Sequence, residues 1–170
     1  MTRAPEAPIL LADYDPAWPA AFESERERLA ELLGNWLRGS IEHIGSTAVP
    51  GLRAKPVLDI MAGVESLEAS RPAIQAVSRL EYVYYPYRAD VMHWFCKPSP
   101  AHRTHHLHLV PLGSVLWKER ILFREALRRD PALAAEYAEL KTLLADRHRH
   151  DREAYTEAKS AFVVRVLTRA

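Results

Sequence analysis

Apolar positions recur along this chain in two rhythms, one of about 3.6 residues and one of two. From Pro19 onward, Phe22, Leu29, Leu32, Leu33, Trp36 and Leu37 fall at helical spacing, while Glu23, Glu25, Arg26, Glu27 and Arg28 lie opposite. That is the pattern of an amphipathic helix. Pro19 suits its first turn, where a missing N–H has no partner to lose, and Gly39-Ser40 is expected to close it. Residues 9–12 read as a short strand or extended arm. Residues 41–44 read as a strand running into Gly45-Ser46, and residues 47–52 as a turn or short helix broken by Pro50-Gly51. Residues 56–64 are apolar on both faces, at Val57, Leu58, Ile60, Met61 and Val64, as in a central strand covered on both sides. Asp59 interrupts that run.

The spacing of Leu67, Ile74, Val77 and Leu80 predicts a helix over residues 65–80, with Ser66 as its N-cap. Residues 82–87 and 93–97 are rich in aromatic and β-branched side chains and predict two strands, joined by a turn near Arg88-Ala89-Asp90. Residues 104–110 alternate: Thr104, His106, His108 and Val110 share one face, and His105, Leu107 and Leu109 the other. After Pro111-Leu112-Gly113-Ser114 the pattern is helical to the end. Trp117, Ile121, Leu122 and Leu127 form one stripe, and Asp130-Pro131 starts a second helix with Leu133, Tyr137, Leu140 and Leu144 inward. Asp151 caps a last helix carrying Tyr155, Phe162, Val163 and Val166. The expected fold is α+β. One domain over residues 1–170 holds a mixed sheet of four or five strands, with helices packed on it and a C-terminal helical layer.

Composition narrows the partners. Hydrophobic residues make up 48% and charged residues 26%, as in a folded globular chain. The net charge of +1 gives no strong signal for nucleic acid and none for an anionic membrane. No stretch has the roughly 18 apolar residues of a membrane helix, and MTRAPEAPILLADYDP makes a poor signal peptide. A single cysteine, Cys96, excludes an internal disulfide and reads as a buried structural thiol. A cytoplasmic protein with a small-molecule or nucleotide substrate is expected.

Three features carry chemistry. Gly45-Ser46, at a strand end before a turn, lets backbone N–H groups and the Ser46 and Thr47 hydroxyls approach a phosphate; it also suits a plain Ser-capped junction. No Walker sequence and no Gly-x-Gly-x-x-Gly is present. Asp59, within an apolar strand, needs a metal, a cation or several donors. Magnesium suits it, as does a structural pairing with Arg53, Lys55 or a histidine. His105, His106 and His108 form a cluster: His106 and His108, two residues apart on one face, fit a shared metal with His43 as a third ligand. They equally fit phosphate binding, acid–base work, or orientation of Asp59. The basic residues of the C-terminal helices, Lys141 among them, read as solvated faces. Tyr155 and Lys159, an i, i+4 pair, reach a site only if their helix packs over the sheet edge.

The segments YDPAWPAAFESE, IEHIGSTAVPGLRAKPVLDI, RTHHLHLV, FREALRRDPALAAEYAELK and DREAYTEAKSAFV, in this order over nearly the whole chain, resemble the GrpB family of small bacterial proteins. That family resembles the nucleotidyltransferase superfamily, in which Gly-Ser holds nucleotide phosphates and an acid-x-acid strand binds two metal ions. A third acid there comes from a later strand. The resemblance implies the corresponding fold and places Gly45, Ser46 and Asp59 on the motif. Met61 stands where the second acid would be, and His106 and His108 stand on the third-acid strand. It implies catalytic roles for Asp59, His106 and His108. ATP or another nucleoside triphosphate would lie against Gly45, Ser46, Thr47, Arg53, Lys55 and Lys159. A divalent metal, Mg or Mn with Zn as an option, would be held by Asp59, His106, His108 and His43. The implied activity is nucleotidyl transfer to an unspecified acceptor, with acyl-adenylate-forming ligation as one form. A non-catalytic nucleotide- or anion-binding module and a His/Asp metal-dependent hydrolase are the alternatives. The family is also found joined to dephospho-CoA kinase.

Overall fold

Five strands form one mixed sheet in the computed structural model, which describes residues 7–170. The first six residues, part of the stretch read above as a poor signal peptide, lie outside the described residues. Helix α1 (Trp18–Leu33) leads into β1 (Leu37–Ile44), a 3₁₀ turn (Ser46–Ala48) and β2 (Leu58–Val64). A short helix α2 (Ala73–Ala76) is followed by β3 (Val83–Tyr85), β4 (His93–Pro98) and β5 (Arg103–Pro111). Helices α3 (Val115–Arg129), α4 (Pro131–Arg147), α5 (Arg152–Ala158) and α6 (Ser160–Arg169) complete the chain. The strand order is β1-β2-β5-β4-β3. The central β2–β5 pair is parallel and the other three pairs are antiparallel. Asp59 lies opposite Ile44 on one side and His106 on the other.

The period of two divides the side chains between two cores. On one face Ile41, Ile60, Phe95, Leu107 and Leu109 pack with Leu29 and Leu33 of α1. On the other, Ile44, Met61, Trp94, Cys96 and Val110 pack with Leu116 of α3. A third cluster joins Val49 and Leu52, after β1, to Leu127, Tyr137, Phe162 and Val166 of the C-terminal helices. Asp130 caps α4 through Ala132 and Leu133 N–H, and Asp151 caps α5 through Ala154 N–H, as their positions predict. A buried ion pair, Lys97 Nζ to Glu25 Oε1, ties α1 to β4, and the Tyr82 hydroxyl donates to the same oxygen at 2.8 Å.

Four elements depart from the pattern-based expectation. Helix α1 ends at Leu33, and residues 37–40 join β1 instead. Trp36 and Leu37 still pack on the core, so their apolar spacing reflects a shared destination rather than one helix. Residues 65–80 are not one helix: turns fill residues 65–72 before α2. Pro72 supplies no N–H and disfavours the helical region at Arg71. Ser66 caps a turn there, accepting from Ala69 N–H at 3.0 Å. The strand expected over residues 82–87 is confined to Val83–Tyr85, with Pro86 removing a ladder donor. The last helix breaks at Lys159, which joins α5 to α6. Among the described residues, no helix is long and apolar enough to cross a membrane.

Candidate functional site

Strand β1 ends at Ile44, and the next residue is Gly45, whose φ of 72° and ψ of −172° fall in a region open essentially to glycine alone. A Cβ on Gly45 would lie 2.7 Å from Asp59 Oδ2. The bare Cα is therefore what lets the turn close directly over the carboxylate. Asp59 reaches this position because β2 and β1 pair with Ile44 opposite Asp59. The Asp59 side chain remains 30% exposed within an otherwise buried strand.

The parallel pairing of β2 with β5 brings both histidines to Asp59. His106 Nδ1 lies 2.9 Å and His108 Nε2 3.4 Å from the same oxygen, Oδ1. Burial pushes the Asp59 carboxyl up, but the charge and hydrogen bond of His106, followed by the hydrogen bond of His108, outweigh it. They hold the group well below the usual carboxylate range. Burial lowers His108 to about 4 against the opposing Asp59 hydrogen bond, so its ring is neutral at pH 7. The other nitrogen of His106, Nε2, is buried without a hydrogen-bond partner.

The C-terminal helices cover this carboxylate with cations. Lys159, at the α5–α6 joint, sets its ammonium 4.4 Å from the centroid of the Tyr155 ring, and Lys55 sets its own 5.1 Å from that ring. Lys141 of α4 is 2% exposed; its ammonium donates to the Arg53 carbonyl and lies 4.9 Å from the Tyr137 ring centroid. Tyr137 in turn hydrogen-bonds Ser46, and burial raises its phenol to about 12. Lys141 is lowered to about 7 by burial, then by Lys159 and Lys55. Lys159 is also lowered to about 7, by burial and then Lys55, with Asp59 opposing and Arg120 adding to the shift. Neither Lys141 nor Lys159 has a carboxylate within ion-pair distance among the described residues.

The structure thus brings together Gly45, Ser46, Lys55, Asp59, His106, His108 and Lys159. It does not bring in His43. That ring projects from the opposite face, paired with Ile60 in the ladder and stacked on Phe22 at 4.7 Å. Thr47 is buried, its hydroxyl engaged with His43 Nε2 at 2.8 Å and the Val57 carbonyl at 3.3 Å, so it braces the turn. Arg53 is exposed and meets Asp13 at 3.5 Å; its carbonyl, not its guanidinium, is joined to the site. His105 lies on the α1 side, where burial and Lys97 lower it to about 4. Lys141, read from sequence as part of a solvated face, is buried instead. Its signal was in the chain: it lies four residues after Tyr137 and three before Leu144, on the apolar stripe itself.

A resident metal does not fit these residues. Both histidine nitrogens are directed at Asp59 Oδ1 rather than, with it, at a shared point. The position of a second acid holds the fully buried thioether of Met61. Among the described residues, no three His, Cys, Asp or Glu side chains are set to hold one ion. A separate cleft of about 350 Å³ opens at the β1 edge between Phe22, His43, Arg124 and Arg128. It is not the Asp59 site. Its charges are met locally: Arg124 bonds Glu42 at 2.7 Å and the His43 carbonyl at 3.0 Å, and Arg128 bonds the Ala48 carbonyl at 2.9 Å.

The fold recurs in known proteins. A UPF0157 protein of Pseudomonas aeruginosa is 40% identical over 99% of this chain and 70% of its own length. The crystal structure of the conserved protein GrpB from Enterococcus faecalis superposes with a TM-score of 0.84 at 32% identity, over 94% of this chain and 96% of that one. A dephospho-CoA kinase of Mycolicibacterium paratuberculosis is 29% identical over 90% of this chain but only 44% of its own length. The sequence profile of the family described as GrpB protein matches residues 8–169. With this span of the chain matched, the protein belongs to the GrpB family.

Proposed function

We propose that the chain binds the polyphosphate of a nucleoside triphosphate against the Gly45-Ser46 turn and transfers its nucleotidyl group to an acceptor. The observation that carries this reading is the convergence of Lys55 and Lys159 on the Tyr155 ring, with Lys159 near enough to the ionised Asp59 for that charge to act on it. Cations gathered there, without carboxylates to neutralise Lys141 and Lys159, await an anion. The tight Gly45 turn gives a phosphate access to backbone N–H groups. The partial match to a protein named dephospho-CoA kinase lends support from nucleotide chemistry.

In this reading the acceptor's nucleophilic oxygen attacks the α-phosphorus and pyrophosphate leaves toward the lysines. A carboxylate held so far below its ordinary range is a weak base. Asp59 therefore accepts the nucleophile's hydrogen bond and fixes its line of approach, and the nucleophile's proton passes to the departing pyrophosphate as the P–O bond forms. His106 and His108 keep Asp59 charged and still. The residues here lack the ligand set for a resident divalent ion, with Met61 at the second-acid position and no third His, Cys, Asp or Glu in place among the described residues.

Titration of the protein with ATP, GTP and CTP by calorimetry, with Lys159→Met and Asp59→Asn alongside, tests the reading. Binding is expected in the wild type and weakened roughly tenfold or more in Lys159→Met. Absence of binding by all three nucleotides overturns it. One observation favours a second reading: Met61 removes the second acid of the superfamily pattern, which suits a nucleotide-binding module without turnover. Nucleotide binding with no pyrophosphate release across a panel of hydroxyl and carboxylate acceptors selects that reading instead.

A further inference from the structure

A bound triphosphate brings several negative charges into a partly dehydrated site, and something must meet them. Enzymes of phosphoryl and nucleotidyl transfer commonly use divalent ions held by paired carboxylates. Here the donor set argues otherwise. Asp59 Oδ1 already accepts from two histidines, its Oδ2 lies under the Gly45 turn, and the neighbouring same-face position is Met61, fully buried among Ile44 and Trp94.

Positive charge is supplied from the other direction. Lys55 comes from the loop before β2, Lys141 from the middle of α4 and Lys159 from the α5–α6 joint. Three separate elements thus gather their ammonium groups close enough to act on one another, and Lys159 among them lies within the reach of the Asp59 charge. Two of the ammonium groups rest on the Tyr155 ring and one on Tyr137, whose π-faces attract a cation. Lys141 does a second job: its bond to the Arg53 carbonyl fixes the segment that carries Lys55. Its neighbour one turn back, Tyr137, fixes Ser46. Helix α4 therefore grips both chain segments that would contact phosphate.

Resting on the nucleotide reading of this same site, we propose that Lys55 and Lys159, with Lys141 behind them, take the place of resident divalent ions and bind the polyphosphate tail in its metal-free form. Lysine suits this role as a compact point charge with three donors. The lowered values of Lys141 and Lys159 are in keeping with unmet positive charge that an anion would relieve.

Inorganic triphosphate and ATP, each titrated calorimetrically in EDTA and again in excess Mg²⁺, provide the test. Triphosphate should bind in EDTA at least as tightly as in Mg²⁺. Its affinity should fall roughly tenfold or more in Lys159→Met and in Lys55→Met, the loss expected for one charge-assisted contact. Lys159→Arg, which keeps the charge, should retain most of it. Two lysines on different elements are tested so that misfolding of one variant, seen as a lowered thermal midpoint, leaves the other to decide. Binding of ATP and triphosphate only in the presence of Mg²⁺, or undiminished binding in Lys55→Met and Lys159→Met, overturns the proposal while leaving a nucleotide site intact. Failure of both compounds to bind under both conditions overturns the nucleotide reading as well.

Discussion

Gly45→Ala tests the closest approach in the site. The new methyl would lie 2.7 Å from Asp59 Oδ2, 3.0 Å from Asp59 Cβ and 3.2 Å from Asp59 Cγ, and the backbone would have to keep φ at 72° and ψ at −172°. A non-glycine residue in that region costs about 1–3 kcal/mol. Forcing an extra carbon into packed surroundings costs about 1–3 kcal/mol more. The two together give about 2–6 kcal/mol. In a domain of this size each kcal/mol moves the thermal midpoint by about 2–4 °C, so scanning calorimetry should show a fall of about 4–24 °C. Urea unfolding supplies the free energy directly. The same substitution in an Asp59→Ala background separates the two causes: the nearest clash disappears, and the cost should shrink toward the backbone share. A Gly45→Ala protein within about 0.5 kcal/mol of wild type, the range of an ordinary surface change, refutes this account of the turn. An equal cost in both backgrounds refutes the part assigned to the carboxylate.

Other consequences can be measured on the same protein. Glu25→Ala leaves the Lys97 ammonium and Tyr82 hydroxyl buried without their acceptor and should cost about 3–5 kcal/mol in urea at pH 7, more than Glu25→Ala combined with Lys97→Met. Burial alone would raise the Glu25 carboxyl, but Lys97 and Tyr82 hold it below its ordinary 4.5; its share of stability is therefore present above 4.5 and is lost as pH falls below that value. Lys141 sheds its proton near 7 when folded and near 10.5 when unfolded, so the unfolded chain binds more protons in between and stability should rise with pH across that window. Lys141→Met should flatten this rise in urea unfolding at pH 7 and pH 9.5. Triphosphate affinity should move the opposite way, weakening between pH 6 and pH 9 as Lys141 and Lys159 lose charge, in a setting that also contains Lys55, Asp59, Arg120, Tyr137 and Tyr155.

The histidine pair was legible because alternation is local. Residues 104–110 could put His106 and His108 on one face and His105 on the other before any partner strand was known. His43 was misplaced because its face depends on pairing: Ile44, not His43, stands opposite Asp59, and a shift of one residue would have reversed that. No pattern within residues 41–44 encodes this register. Lys141 and Lys159 stand at the two limits of side-chain reading. Lys159 was tied to a site only on the condition that its helix packs over the sheet edge; in the structure α5 and α6 pack on α3 and α4, and Lys159 meets Lys55 across the Tyr155 ring. Lys141 sits on an apolar stripe, but a lysine there is equally compatible with snorkelling to solvent, and only the nearby Arg53 carbonyl decides the matter. The helix expected over residues 65–80 failed at a visible place, Pro72, where apolar spacing was given more weight than the proline.

The two chemical halves of the site belong to different parts of the architecture. Asp59, His106 and His108 sit on the central parallel strands, whose pairing bridges residues 47 positions apart and exists only when the sheet is whole. Lys141 and Lys159 ride on helices that follow its last strand and pack on α3 and on the segment after β1. Such outer layers open in local fluctuations that cost less than melting the centre. A fluctuation that lifts α4–α6 would withdraw two of the three ammonium groups, free Ser46 from Tyr137 and release the segment bearing Lys55, all while the carboxylate and its histidines stay in register. An anion bridging the halves would then act as a latch between layers, and the protection of α4–α6 amides from solvent exchange would rise with its concentration.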